Sequence, residues 1–129
     1  MEILDPGVPN KERVLVAVDE PTDLSSYVIL QSFAPAPGKV APGAAAAFWF
    51  PSELASKGDA VVLLTGPGQA TKETLPNGRI GHVFFWGLQT TVFNNSETCV
   101  VLIEALSWET RQRLPLASQT AGLSAVKPG

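Results

Sequence analysis

The side chains with the most chemical reach in this chain are few: one histidine, His82, one cysteine, Cys99, and a scatter of carboxylates, hydroxyls and indoles. A zinc site needs three or four nitrogen, sulfur or carboxylate ligands at workable spacing, and His82 has neither Cys nor carboxylate close to it in sequence. It reads as a structural histidine in a strand. A Ser-His-Asp triad can be drawn on paper from His82 and any of several Ser and Asp, but no Gly-x-Ser-x-Gly elbow or equivalent turn presents a nucleophile. The run Gly66-Pro67-Gly68-Gln69-Ala70-Thr71-Lys72-Glu73 holds the ingredients of a phosphate loop in the wrong order. That loop sets Gly directly before Lys and Ser or Thr directly after it, at a helix N-terminus. Here Thr71 precedes Lys72, Glu73 follows, and Pro76-Asn77-Gly78 comes soon after. A solvated loop between strands is expected instead.

Asp19, Glu20 and Asp23 could attract Ca²⁺ through their carboxylate oxygens, yet their spacing departs from the EF-hand loop. An acidic turn around Pro21 is the simpler expectation. Asn94-Asn95-Ser96 is a glycosylation sequon only in a secreted eukaryotic chain, and as a hairpin turn it needs no sugar. No pair of groups suited to acid/base work can be nominated. The chain is therefore read as no enzyme, without metal or cofactor.

The aromatic residues are the more informative set. Alternation along a strand puts Phe48 and Phe50 on one face and Trp49 on the other, and splits Phe84 and Trp86 from Phe85 in the same way. The larger sets are expected inward, with Trp86 and Cys99 both buried. Trp49 then points outward and is the one expected contact residue. Covering such an indole at an interface removes on the order of 200 Å² from water, worth a few kcal/mol at about 25 cal/mol per Å². The competing expectation is that the Pro-rich loop 34–39, or the C-terminal tail of the same chain, covers Trp49.

Positioning these residues falls to short strands. Apolar runs recur at 13–18, 26–31, 44–50, 60–65, 81–86, 91–94 and 98–106, separated by clusters of Pro, Gly, Asn and Asp. This pattern predicts seven strands in an all-β sandwich or barrel. Helix has little room; residues 51–58, with Pro early and Gly at the end, suit either one helical turn or a loop. Several runs, such as Val14-Leu15-Val16-Ala17-Val18 and Val100-Val101-Leu102-Ile103, are apolar on both faces. A sheet with one wet face should alternate, so some outward positions must be covered by loops, by the tails or by another chain.

The chain's 129 residues suit one domain, expected over residues 1–115 with a tail at 116–129. With 45% hydrophobic and only 16% charged residues, it needs neither disulfide nor metal to make a core. A net charge of −3 provides no basic surface for a phosphate backbone, so nucleic acid is not an expected partner. No unbroken apolar stretch is long enough to span a membrane as a helix. No secretory signal is visible, which makes a cytoplasmic location the default expectation.

Taken in order, several of these residues resemble the lamin tail domain, an immunoglobulin-like β-sandwich module. Glu12-Arg13-Val14-Leu15-Val16 followed by Asp23-Leu24-Ser25-Ser26-Tyr27 is similar to that family's first strand and its D-L-S-G-W segment, with Ser26 for the Gly and Tyr27 for the Trp. Phe50-Pro51, Leu54, Gly58 and Val61-Val62-Leu63 resemble the family's F-P, L, G and V-V stretch, and Gly66-Pro67-Gly68 its Gly-rich turn. Trp86-Gly87-Leu88, then residues 92–102 through Asn94-Asn95, resemble its Trp-Gly segment, L-x-N turn and last strand. The similarity spans about residues 12–106; the polar turn with Asp and Gly that follows in the family is missing from residues 104–109. The resemblance implies a non-catalytic module for protein interaction or assembly, with no family-wide active site to transfer. Its partner would be another protein or a second copy of the chain. The alternative is a small-ligand binder, of carbohydrate for example, using Trp49 or Trp108 as a stacking platform.

Overall fold

The computed structural model describes residues 1–34 and 46–113 of the chain. The strands are β1 (Glu2–Leu4), β2 (Arg13–Ala17), β3 (Thr22–Asp23), β4 (Tyr27–Phe33), β5 (Ala46–Trp49), β6 (Leu54–Ala55), β7 (Ala60–Leu64), β8 (Thr71–Thr74), β9 (Ile80–Phe85) and β10 (Thr98–Glu104). The chain is thus nearly all β, as its turn spacing predicts. The only helical segment among the described residues is a 3-10 turn at Leu24–Ser26, which Asp23 caps by accepting from the Ser25 amide.

A larger sheet has the order β1-β2-β7-β9-β8, a smaller one β10-β4-β5, and β3 pairs with β6. All pairings are antiparallel except β7 with β9. That parallel pair exists because β8 lies on the far side of β9, so the connection from β7 must cross the sheet before the hairpin at Pro76-Asn77-Gly78 turns the chain back. Gly78 takes the left-handed φ of 80° that this turn requires. In the crossing loop a Cβ on Gly68 would sit 2.4 Å from the Phe85 ring, which only glycine avoids.

The two main sheets share one core. Val14, Val61, Leu63 and Phe84 from the larger sheet meet Ile29 of the smaller one and Phe50, which follows β5. Phe50 and Phe84 stand edge to face with centroids 5.2 Å apart, and Phe48 reaches both Phe84 and Trp86. The expected alternation holds: Phe48, Phe50, Phe84 and Trp86 face the core or pack against it. Phe85 lies half-buried on the opposite face, beneath Gly68.

Several expectations need correction. Residues 91–94 form no strand; they are a loop, with Phe93 buried in the core and the amides of Val92 and Phe93 donated to a carboxylate instead of a strand partner. Residues 51–58 hold the short strand β6 and a turn, not a helical turn, because Asp23 draws the Glu53 amide and β3 pairs with β6. Residues 71–73 belong to the edge strand β8, so the solvated loop is only 66–70. Trp86 and Cys99 are half-buried where full burial was expected. Trp86 lies just past the end of β9 at the margin of the core, and Cys99 alternates out of step with the inward Val100 and Leu102. The Pro-rich loop beyond Ala34, the first two residues of the run 44–50 and the tail 116–129 lie outside the described residues.

Candidate functional site

The outer face of the smaller sheet is apolar. Registration sets Ile103, Val28 and Trp49 side by side across β10, β4 and β5, with Val101, Leu30 and Ala47 in the next row. Directly paired residues share a face, and this face is opposite to the one on which Ile29, Phe48 and Leu102 enter the core. Trp49 is 52% exposed and Ile103 41%. The chain returns over the sheet after β10, where the Ala105 amide bonds the Ser26 carbonyl, and sets Trp108 against Trp49. The two indoles meet at 79° with centroids 5.1 Å apart, and Trp108 stays 63% exposed. Leu106, also in the segment after β10, is almost fully exposed.

The Trp49 ring is held in place. Its Nε1–H donates to the Ser25 carbonyl at 2.7 Å, so the indole dipole is satisfied and the apolar body faces outward. The sequence places Trp49 on the outer face; that Trp108, 59 positions away, shares the patch follows only from the path after β10. Steep crossing of the two rings leaves no coplanar pair of faces for a flat ligand to span.

His82 has a different setting. It is buried, and each ring nitrogen meets a carboxylate: Nδ1 that of Glu53, in a close contact, and Nε2 that of Asp59 at 2.9 Å. Asp59 also accepts from the amides of Ser56 at 2.9 Å and Ile80 at 3.1 Å, with the Arg79 guanidinium 3.8 Å away. The His82 hydrogen bond above all, then those two amides, holds the Asp59 carboxyl far below the usual carboxylate range. Both carboxylates are distant from His82 in sequence, which is why its surroundings could not be read there. The ring is spanned on both sides, and neither nitrogen is left to exchange a proton with a substrate. The two acids lie on opposite sides of the ring, and no group of three or more His, Cys, Asp and Glu among the described residues is placed to hold a metal ion.

Glu12 is the second buried acid, only 1% exposed. Burial alone would raise its pKa, but the amides of Val92 and Gly7, the Thr65 hydroxyl and the Phe93 amide all donate to it, and together they hold it below the ordinary value. It ties the loop before β2 and the loop at 92–93 to the end of β7. Asp5, Gly7 and Asn10 take left-handed φ values in that first loop, a conformation that Gly, Asn and Asp tolerate best. A Glu or Asp at the residue just before a strand, as at Glu12 before β2 and Asp59 before β7, is the sequence signal that could have marked both.

The acidic trio separates. Asp23 accepts from Ser25 and Ser52 and the Glu53 amide, so its oxygens serve the turn, while Asp19 and Glu20 stand at the mouth of a cleft. No helix among the described residues is long and apolar enough to cross a membrane. No family model, curated protein or solved structure matches the chain.

Proposed function

We propose that the chain is an immunoglobulin-like β-sandwich module of the lamin-tail kind, a non-catalytic domain that binds a protein surface through the outer face of β10, β4 and β5. The observation that carries this reading is the apolar row of Ile103, Val28 and Trp49, exposed at Ile103 and Trp49, with the exposed Trp108 against Trp49. An outward indole whose one polar atom is already satisfied gains little from water and much from an apolar partner. Its rigid placement lowers the entropy lost on binding, and tryptophan is the residue most enriched among interface hot spots. The fold part of the proposal is supported by two facing sheets with an aromatic core between them. A carbohydrate platform is less well served, since the two indoles cross instead of lying flat.

The test is Trp49→Ser, read by light scattering and thermal melting together. The expected result is loss of self-association, or of partner binding, in a protein that melts almost where the parent does. If the parent is monomeric with no partner, and the substitution only lowers the melting temperature sharply, Trp49 serves the fold and the interface reading fails.

A further inference from the structure

β10 forms one edge of the smaller sheet: it pairs with β4 on one side, and no strand among the described residues pairs with the other. It keeps an unbroken register with β4 from Thr98 to Glu104, without a bulge. Beyond its two ends, the Ala34 amide bonds the Glu97 carbonyl and the Ala105 amide bonds the Ser26 carbonyl. Odd-numbered residues therefore exchange hydrogen bonds with β4, and Val100, Leu102 and Glu104 turn their N–H and C=O groups to the open edge. So does the Thr98 carbonyl, while the Thr98 amide is taken by Asn95. An edge of this kind is a template for another strand. The larger sheet ends instead in the exposed, charged β8 on one side and the very short β1 on the other. β10 has no Lys, Arg or Pro, and its one charge, Glu104, stands at its end. Val100 and Leu102 pack against the core yet stay half-buried, where the open edge leaves them uncovered.

We infer that the open edge of β10 pairs antiparallel with β10 of a second copy of this chain, joining the two smaller sheets into one. The strand is its own complement. A two-fold axis at Val101 sets Thr98 opposite Glu104, Cys99 opposite Ile103 and Val100 opposite Leu102, so the strand overlaps along its whole length. In that register the amides of Val100, Leu102 and Glu104 meet the carbonyls of Leu102, Val100 and Thr98 in the other copy, and the symmetry repeats each bond. Cys99, Val101 and Ile103 then form close pairs on the outer face, apolar against apolar. Charge agrees with this arrangement. Each Glu104 opposes a Thr98, and the length of the strand holds the two Glu104 residues about 20 Å apart, whereas a parallel pair would set Glu104 beside Glu104. A second copy fits better than a foreign strand, because the two-fold pairing is isologous and fills both open edges at once. The contact uses the edge of the sheet, with β4 between it and β5, and is distinct from the Trp49 face.

Light scattering of the whole chain over a dilution series, with charges placed on the axis, tests the pairing. The parent is expected to be a dimer that dissociates on dilution. Val101→Lys and Val101→Glu each set like charges face to face across the axis, and each should weaken the dimer about tenfold or more. Mixed in equal amounts, the two variants should dimerise again, which a merely structural role of Val101 would not produce. A cysteine reads the register separately. In Cys99→Ser with Val101→Cys, the two thiols lie across the axis at a spacing that suits a disulfide, and mild oxidation with glutathione disulfide should give a covalent dimer. The parent's Cys99, about 13 Å from its copy along the strand, should not cross-link. Trp49→Ser should leave the dimer intact. If the charged variants unfold, the cysteine variant decides alone. A parent that is monomeric at every concentration, folded charge variants that dimerise singly as the parent does or fail to dimerise when mixed, or no cross-link through position 101 would overturn the proposal. A dimer lost with Trp49→Ser but kept with Val101→Lys would also overturn it, and would assign self-association to the outer face.

Discussion

Glu12 illustrates how a charged residue is kept in an apolar interior. Among the described residues it has no cationic partner; four donors, three of them backbone amides, replace the water it gives up. Such a site is asymmetric, because the donors suffer as much as the acid if the acid is changed. Glu12→Gln keeps the size but turns an amide NH₂ towards groups that themselves donate. The expected loss of stability is about 2–4 kcal/mol, the sum of weakened charge-assisted bonds and at least one unsatisfied amide, read from urea denaturation. A loss below roughly 0.5 kcal/mol, the usual effect of a surface substitution, would mean that water serves those amides well. Hydrogen exchange should then report which loop gives way first. Residues 5–11 and 91–93 are the expected places, since both hang on this carboxylate.

Among the elements, the crossing loop at 66–70 has the sharpest steric requirement. It must pass over the end of β9 to let β8 take the edge, and Gly68 does so against the Phe85 ring. Gly68→Ala forces that ring aside and is expected to cost about 1–3 kcal/mol by overpacking. Combined with Phe85→Ala, the alanine at 68 should cost much less than it does alone, because the two residues touch and their effects do not add. Additive losses would show that the loop moves and the ring stays. Edge placement also explains why β8 escaped sequence reading. Thr71-Lys72-Glu73-Thr74 is exposed throughout and carries no apolar period; a charged, short edge strand of this kind discourages pairing with other sheets. β1, β3 and β6, of two or three residues each, offered too few positions for any period to show. Residues 91–94 misled in the other direction: Val92 and Phe93 are apolar because they cap the core, not because they run in a strand.

For the molecule as a whole, the depressed carboxyls set the response to acid. Asp59 and Glu12 titrate lower in the native state than their ordinary values of 3.8 and 4.5, so the unfolded chain takes up protons first as the pH falls. Their stabilising contribution is complete above about pH 5 and is lost progressively as the pH drops through the ordinary carboxylate range towards the lower native values. Urea midpoints measured at pH 7, 5 and 3 should be nearly equal for the first two and clearly lower at the third. In Glu12→Gln with Asp59→Asn the fall between pH 5 and pH 3 should shrink. An undiminished fall in that variant would move the acid sensitivity to other groups.

The strand positions of the core, the absence of long helix and the outward side of Trp49 were all legible in the chain, because a two-residue period and Pro or Gly punctuation are local properties. So was the likeness of Phe48, Phe50, Phe84 and Trp86 as one inward set. Tertiary structure alone decided that Glu53 and Asp59 bracket His82, that Glu12 meets residues 92 and 93, and that Trp108 lies on Trp49. Each of these joins residues that only the order of strands brings together. A residue's face is set by its own neighbours in the chain, whereas its partners are set by which strand pairs with which, and the crossing that makes β7 and β9 parallel has no mark in any single stretch of sequence.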